Sequence, residues 1–237
     1  MLNFKQYIAE VSSTVNQKTL EREMQKLKSF LSGSTKSRKE IAKLVQRLIS
    51  SYDAYVNTET NSIVPNNEIY ISALFDPDLD EDEEPSIEIT LIFNPSDKKV
   101  TMSSEAIEHT VMNIVKAIAH EEIHRAQYRK RDYVDNRKYT KGKNYDQNYY
   151  GNTDEIEAFA HNIATELLQY TKYDFRKARS LLRNYKKTSA TKLPNGNLMS
   201  PDFLNYVKHF GVNDPVIKRL IKRIYHFIDV LEIEQKA

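Results

Sequence analysis

The chain has 237 residues, with 35 Lys and Arg against 33 Asp and Glu, five glycines, no cysteine and no tryptophan. Without cysteine there is no thiol nucleophile, redox CxxC pair, iron–sulfur cluster or Cys-based zinc finger, so any metal must rest on His and carboxylate. The glycines, at 33, 142, 151, 196 and 211, are too scattered for GxGxxG or GxxxxGK[ST], which excludes Rossmann and P-loop phosphate cradles.

Charge is segregated. Residues 1–100 carry 12 basic and 16 acidic side chains, and residues 101–237 carry 23 and 17. No apolar run approaches the roughly 18 residues that span a bilayer. The first residues mix Lys5, Gln6 and Glu10 into the apolar ones, unlike a secretory signal. The expectation is a chain that is not exported and has no membrane partner.

Residues 3–31 place Phe4, Tyr7, Ile8, Val11, Val15, Leu20, Met24, Leu27 and Leu31 at helical spacing, with Gly33 as the stop. A second helix is predicted from about Ser37 to Tyr55, on the stripe Ile41, Leu44, Val45, Leu48, Ile49 and Tyr52. The pair reads as a helical hairpin. Glu68–Leu74 and Ser86–Phe93 (SIEITLIF) are β-branched and partly alternating, hence strands, and Lys99–Met102 reads as a short third strand after an Asn94-Pro95-Ser96-Asp97 turn. Between the first two lies DPDLDEDEE, 76–84, whose DxDxD spacing lacks the Gly and closing Glu of an EF-hand. It is read as a solvated hairpin loop.

Ser103 or Ser104 can cap a long helix to about Arg131, on the stripe Ile107, Val111, Ile114, Val115 and Ile118. Residues 132–153 are polar, tyrosine-rich and without a period, so a long loop is predicted. Helices follow at about 154–172 and 175–187. Ser200-Pro201 and Asp214-Pro215 open two more, ending at Gly211 and about Glu234. The order of elements argues for a mainly helical α+β fold.

Within the long helix stands His120-Glu121-Glu122-Ile123-His124, an HExxH. Positions i and i+4 share a helix face, so both imidazoles can reach one metal ion. Glu121 is turned about 100° from His120 and flanks the metal without having to ligate it, as suits a general base. Glu122 points nearly backwards and is expected to be solvated or paired with Arg125 or Arg129. A hydrolytic zinc site needs three protein ligands and an open position. The extended metzincin form is excluded, because its Gly and His positions hold Gln127 and Lys130. The best source of a third ligand is Asp154-Glu155-Ile156-Glu157-Ala158-Phe159-Ala160-His161, where carboxylates stand beside small alanines.

HExxH followed by a downstream E-x-x-A or E-A resembles the glutamate-zincin metallopeptidases, particularly compact branches similar to the membrane-peptidase and repressor-cleaving families. His120–Gln127 and Asp154–Ala160 also resemble the HExxHxxQ and DEIxAYA segments of small tailed-phage proteins assigned as metallopeptidases. The likeness covers about residues 120–160. It implies a zincin-like domain whose small antiparallel sheet packs on the HExxH helix, with Zn2+ on His120, His124 and a Glu, and Glu121 as base. The divisions that follow are a hairpin (1–60), a catalytic core (61–173) and a C-terminal helical part (174–237), in a cytoplasmic or virion-associated protein. Aligned on E-x-x-A the ligand is Glu155; aligned on E-A it is Glu157. Glu155 is preferred, because Asp154 and Glu157 alone can form an N-capping box. Position 159, where such families usually carry Asp or Asn, is Phe; either another group such as Asn162 supplies the orienting contact, or the ligand is Glu157 and His161 takes the place four residues on.

The function implied is hydrolysis of peptide bonds in a protein or peptide substrate, by Glu-assisted attack of a metal-bound water. Oxyanion donors are available in Tyr133, Tyr139, Tyr145, Tyr149, Tyr150 and His161, with no reason to choose among them. SIEITLIF is read either as an edge for an extended peptide or as a core strand. The alternative function is a non-enzymatic structural or interaction protein that keeps the fold. Nucleic-acid binding through Arg125–Lys143 and Lys172–Lys192 is the weaker third reading.

Overall fold

A computed structural model of the chain describes residues 17–75, 77, 86–132, 145–186 and 200–236. It divides into two compact units, Ser13–Val134 and one containing Asp135–Ala237. The class is mainly helical α+β, with a small sheet packed on the HExxH helix. The acidic 76–84 run, apart from Pro77, and the first half of the helix predicted over 3–31 lie outside the described residues.

In the first unit, α1 (Gln17–Leu31) and β1 (Lys36–Ser37) lead into α2 (Arg38–Ile49). The start of α2 is fixed by a capping box: Ser37 accepts from the Glu40 N–H, and the Glu40 carboxylate accepts from the Ser37 N–H. Its stripe Ile41, Leu44, Val45, Leu48 and Ile49 is buried as predicted. The helix nevertheless stops short of Tyr55. After a 3-10 turn at Ser50–Tyr52, Asp53 takes the left-handed φ of 46°, and the chain enters β2 (Ala54–Thr60). This strand is absent from the sequence reading, because Tyr52 and Tyr55 continue the helical spacing across the break.

The expected strands form as β3 (Ile69–Phe75), β4 (Ile87–Phe93) and the two-residue β5 (Lys99–Val100). The sheet order is β2-β4-β3, with β4 parallel to β2 and antiparallel to β3, so the sheet is mixed and not purely antiparallel. β5 pairs with β1 in a separate ribbon. SIEITLIF is therefore the central strand and not an edge. Its Ile87, Ile89, Leu91 and Phe93 are fully buried, which accounts for a run too apolar for a half-solvated strand. On the β3 side, α3 (Ser104–Lys130) lays its predicted stripe against the sheet and α1. Ser103 caps α3 by accepting from the Ala106 N–H.

The second unit holds α4 (Tyr145–Gly151), α5 (Thr153–Tyr170), α6 (Phe175–Arg183), α7 (Pro201–Phe210) and α8 (Pro215–Lys236). Its core is α5 against α8, with Ile156, Ile163, Leu167 and Leu168 buried on one helix and Ile217, Leu220, Ile224, Phe227 and Ile228 buried on the other. Ala160 and Ala164, both fully buried, keep that side of α5 thin. Residues 145–151 are helical where a loop was predicted, while 133–144 lie outside the described residues. Among the described residues no helix is long and apolar enough to cross a membrane.

Candidate metal centre

From Ala119 to Arg125 every side chain of α3 is buried, an unusual density of polar groups for a helix interior. Each has an identifiable environment. The imidazoles of His120 and His124 meet edge to face, with their Nε2 atoms 3.1 Å apart. On the far side of the second ring, His124 Nδ1 lies 2.9 Å from Gln127 Oε1. An amide oxygen only accepts, so Nδ1 carries the proton and Nε2 presents its lone pair towards His120. Two nitrogens on a tetrahedral ion with bonds of about 2.0–2.1 Å stand roughly 3.3–3.4 Å apart. The observed gap is close to that bite. Gln127, which the sequence reading used to exclude metzincins and to match HExxHxxQ, is the group that orients the His124 ring.

Glu121 is also buried and is held from another element. The backbone N–H of Phe75, the last residue of β3, donates to its Oε2 at 2.8 Å. Sheet register explains why that N–H is available. Ile87, opposite Phe75, gives its own N–H to the Asp53 carbonyl on the β2 side, and Phe93 accepts there from Asn61. Phe75 and Ile87 are thus a non-hydrogen-bonded pair, and the Phe75 N–H points off the edge of β3 away from β4, an edge unpaired among the described residues. Glu121 Oε1 has no hydrogen-bond partner among the described residues. One carboxylate oxygen is fixed and the other is left to act.

Glu122 is not solvated: it is 3% exposed. It takes the other predicted course and pairs with Arg125, at 2.9 Å. Burial pushes its carboxyl above the usual range, and the neighbouring Arg125 and Arg129 charges pull it back. The same guanidinium donates to the carbonyls of Tyr52 at 3.0 Å and Asp53 at 3.2 Å. The left-handed turn that ends α2 therefore serves to anchor the HExxH helix.

On α5, Glu155 and Glu157 are both buried, at 2% and 6% exposure. The capping argument that separated them does not hold. The N-cap is Asn152, whose side chain accepts from the Asp154 N–H, so Asp154 and Glu157 form no capping box. Geometry separates them instead. Glu157 lies on the same side of α5 as His161, which packs edge to face on Phe227 of α8 at 5.2 Å. Glu155 is turned about 160° away from Glu157, on the stripe of Asn162 and Glu166. Asn162 Oδ1 and Thr165 Oγ1 are buried without a hydrogen-bond partner among the described residues.

The tyrosines divide. Tyr133 and Tyr139 lie outside the described residues. Tyr145, Tyr149 and Tyr150 are on α4, where Tyr149 and Tyr150 pack on Phe159, and Tyr150 also on Tyr206 and His209. Burial raises the Tyr150 phenol above its ordinary value. These contacts give the two inner tyrosines a packing role. No protein-family model, curated protein or solved structure matches this chain significantly.

Proposed function

We propose that His120, His124 and Glu155 hold a zinc ion, and that the protein is a metallopeptidase with Glu121 as its general base. The observation that carries this reading is the pair of converging Nε2 atoms, 3.1 Å apart, with Gln127 fixing the tautomer of one ring. A bound zinc ion supplies Lewis acidity, polarising a carbonyl and lowering the pKa of water to about 7. Glu155 is preferred over Glu157 because the latter shares its side of α5 with a histidine already packed on α8.

The residues then have separate tasks. The Phe75 N–H fixes Oε2 of Glu121, and Oε1 takes a proton from the attacking water and returns it to the leaving amine. An extended peptide laid on the free edge of β3 meets the outward backbone groups of Ile71 and Ala73 and runs towards Glu121. The edge role considered for β4 thus passes to β3.

Metal analysis of the purified chain, with a proteolysis assay of Glu121→Gln, tests the reading. About one zinc per chain is expected, retained in the variant, while cleavage falls by roughly 10²–10⁴-fold. Absence of zinc removes both site and mechanism. Zinc with cleavage unaffected by Glu121→Gln leaves a metal-binding protein that is not this enzyme.

A further inference from the structure

The two edges of the β2-β4-β3 sheet are built differently. Along β2 the outward backbone is spent on side chains. The Gln46 amide donates to the Ala54 carbonyl at 2.9 Å and accepts from the Val56 N–H at 2.7 Å, and Asn57 Oδ1 accepts from the Thr58 N–H at 2.8 Å. The strand also carries a charge, Glu59, among its exposed residues. Satisfied backbone groups and charge are the means by which an edge is kept from pairing with another chain. β3 has neither. Its residues, IYISALF, include no charge, proline or glycine, and among the described residues the outward groups of Ile71 and Ala73 have no partner.

The side chains of β3 add a pattern to that open backbone. Ile69 and Phe75 are buried, Ile71 and Ala73 half-buried, and Tyr70, Ser72 and Leu74 exposed on the face turned away from the core. Leu74 is 53% and Tyr70 40% exposed, a large apolar area for the one strand whose edge is open. Because Ile71 and Ala73 point their backbone groups off the edge, they make the hydrogen-bonded pairs with an added antiparallel strand. Tyr70, Ser72 and Leu74 then fall at the non-hydrogen-bonded pairs, where opposite Cα atoms are closest, about 4.5 Å apart. Residues i, i+2 and i+4 of a strand share a face, so three outward side chains of the added strand lie beside Leu74, Ser72 and Tyr70 in turn. The outer two meet apolar partners, and the middle one meets only a small hydroxyl.

We infer that β3 selects extended peptides with large apolar side chains at two positions four residues apart, read by Leu74 and Tyr70. The inference rests on the peptidase reading for its occupant and narrows the substrate class. β3 ends at Phe75, whose N–H holds Glu121, so the stretch that Leu74 and Tyr70 read adjoins the general base. Leu74 and Tyr70 are specificity residues and take no part in the chemistry.

The test is fluorescence anisotropy with the full-length Glu121→Gln variant, so that binding is read without cleavage. The probes are labelled ten-residue peptides of threonine and lysine with Leu at positions 4 and 8, or Ser at both. The Leu peptide should bind about tenfold more tightly or better. Adding Tyr70→Ser with Leu74→Ser should remove that difference, whereas Ile63→Ser, which deletes an apolar side chain 76% exposed elsewhere on the same unit, should leave it intact. N-methylation of the Leu peptide at positions 5 and 7, whose N–H groups face Ala73 and Ile71, should abolish binding, an effect that a merely adhesive apolar surface does not produce. The inference is overturned if the Ser peptide binds as tightly, if the double variant keeps the preference, if Ile63→Ser removes it, or if N-methylation is without effect. The methylated peptide needs no change to β3, so the test survives a double variant that circular dichroism shows to be misfolded. Zinc plays no part in this readout: a chain without zinc removes the peptidase and leaves the peptide preference to be judged alone.

Discussion

α3 and α5 solve one problem in two ways. Each buries a dense set of polar side chains in a helix interior, His120 to Arg125 in one and Glu155 to Glu166 in the other. On α3, a sheet-edge N–H takes Glu121, an arginine takes Glu122, and an amide takes the outer nitrogen of His124. On α5, Asn162 and Thr165 each keep a buried oxygen without a partner among the described residues, whereas on α3 the atom left so is the Nε of Arg125, whose other nitrogens are all engaged. A helix on a sheet has turns and strand ends within reach, and these supply fixed backbone donors and acceptors. A helix whose neighbour is another helix meets side chains, because both backbones have spent their hydrogen bonds internally. The comparison predicts rigidity at Glu121 and adaptability along the Asn162 stripe.

The strongest way to break the α3 side is Arg125→Met. It strands Glu122 in the interior and leaves the Tyr52 and Asp53 carbonyls without their donor. A loss of about 3–5 kcal/mol is expected in urea unfolding. Glu122→Gln in the same chain should recover part of it, since an amide costs less than an unpaired carboxylate. A loss below about 1 kcal/mol would show the pair to be ornamental.

A smaller effect is expected at Gln127→Ala. The His124 ring would keep its place in the helix but lose the acceptor that fixes its Nδ1 proton. On the proposed zinc site, metal affinity should fall by about 10–100-fold with little change in apo stability. Competition with a chelator measures this directly, and unchanged affinity would remove Gln127 from the site.

Gln127 and Phe75 show where the sequence could be read and where it could not. Gln127 follows His124 by three positions, so its reach was implied by helix geometry, as were the two histidines, the Ser103 cap and the stripe of α3. Phe75 was out of reach. Its contribution to Glu121 is a backbone N–H 46 residues away, and only the register of β3 on β4 determines which way it points. The preference for Glu155 rested on a capping box that Asn152 pre-empts, because three polar residues in a row can each start a helix and local chemistry alone does not rank them. Residues 54–60 failed for a related reason. Tyr52 and Tyr55 satisfy a helical period, and the left-handed Asp53 that ends it has no signature beyond its residue type.

The smallest effect separates the two helices most cleanly. Thr165 is 4% exposed, and its Oγ1 has no partner among the described residues. An unmade buried hydrogen bond costs about 1–3 kcal/mol, whereas an apolar group of the same shape costs nothing. Thr165→Val should therefore stabilise the chain by about 1 kcal/mol, which for 150–250 residues is roughly 2–4 °C in Tm. The corresponding change on α3, Glu122→Leu, should destabilise it, because there the polar atom has a partner to abandon. Opposite signs from two buried polar-to-apolar changes would establish the contrast. If Thr165→Val is instead destabilising and also lowers cleavage, the hydroxyl is part of the working site, and the open oxygens of α5 belong to its substrate.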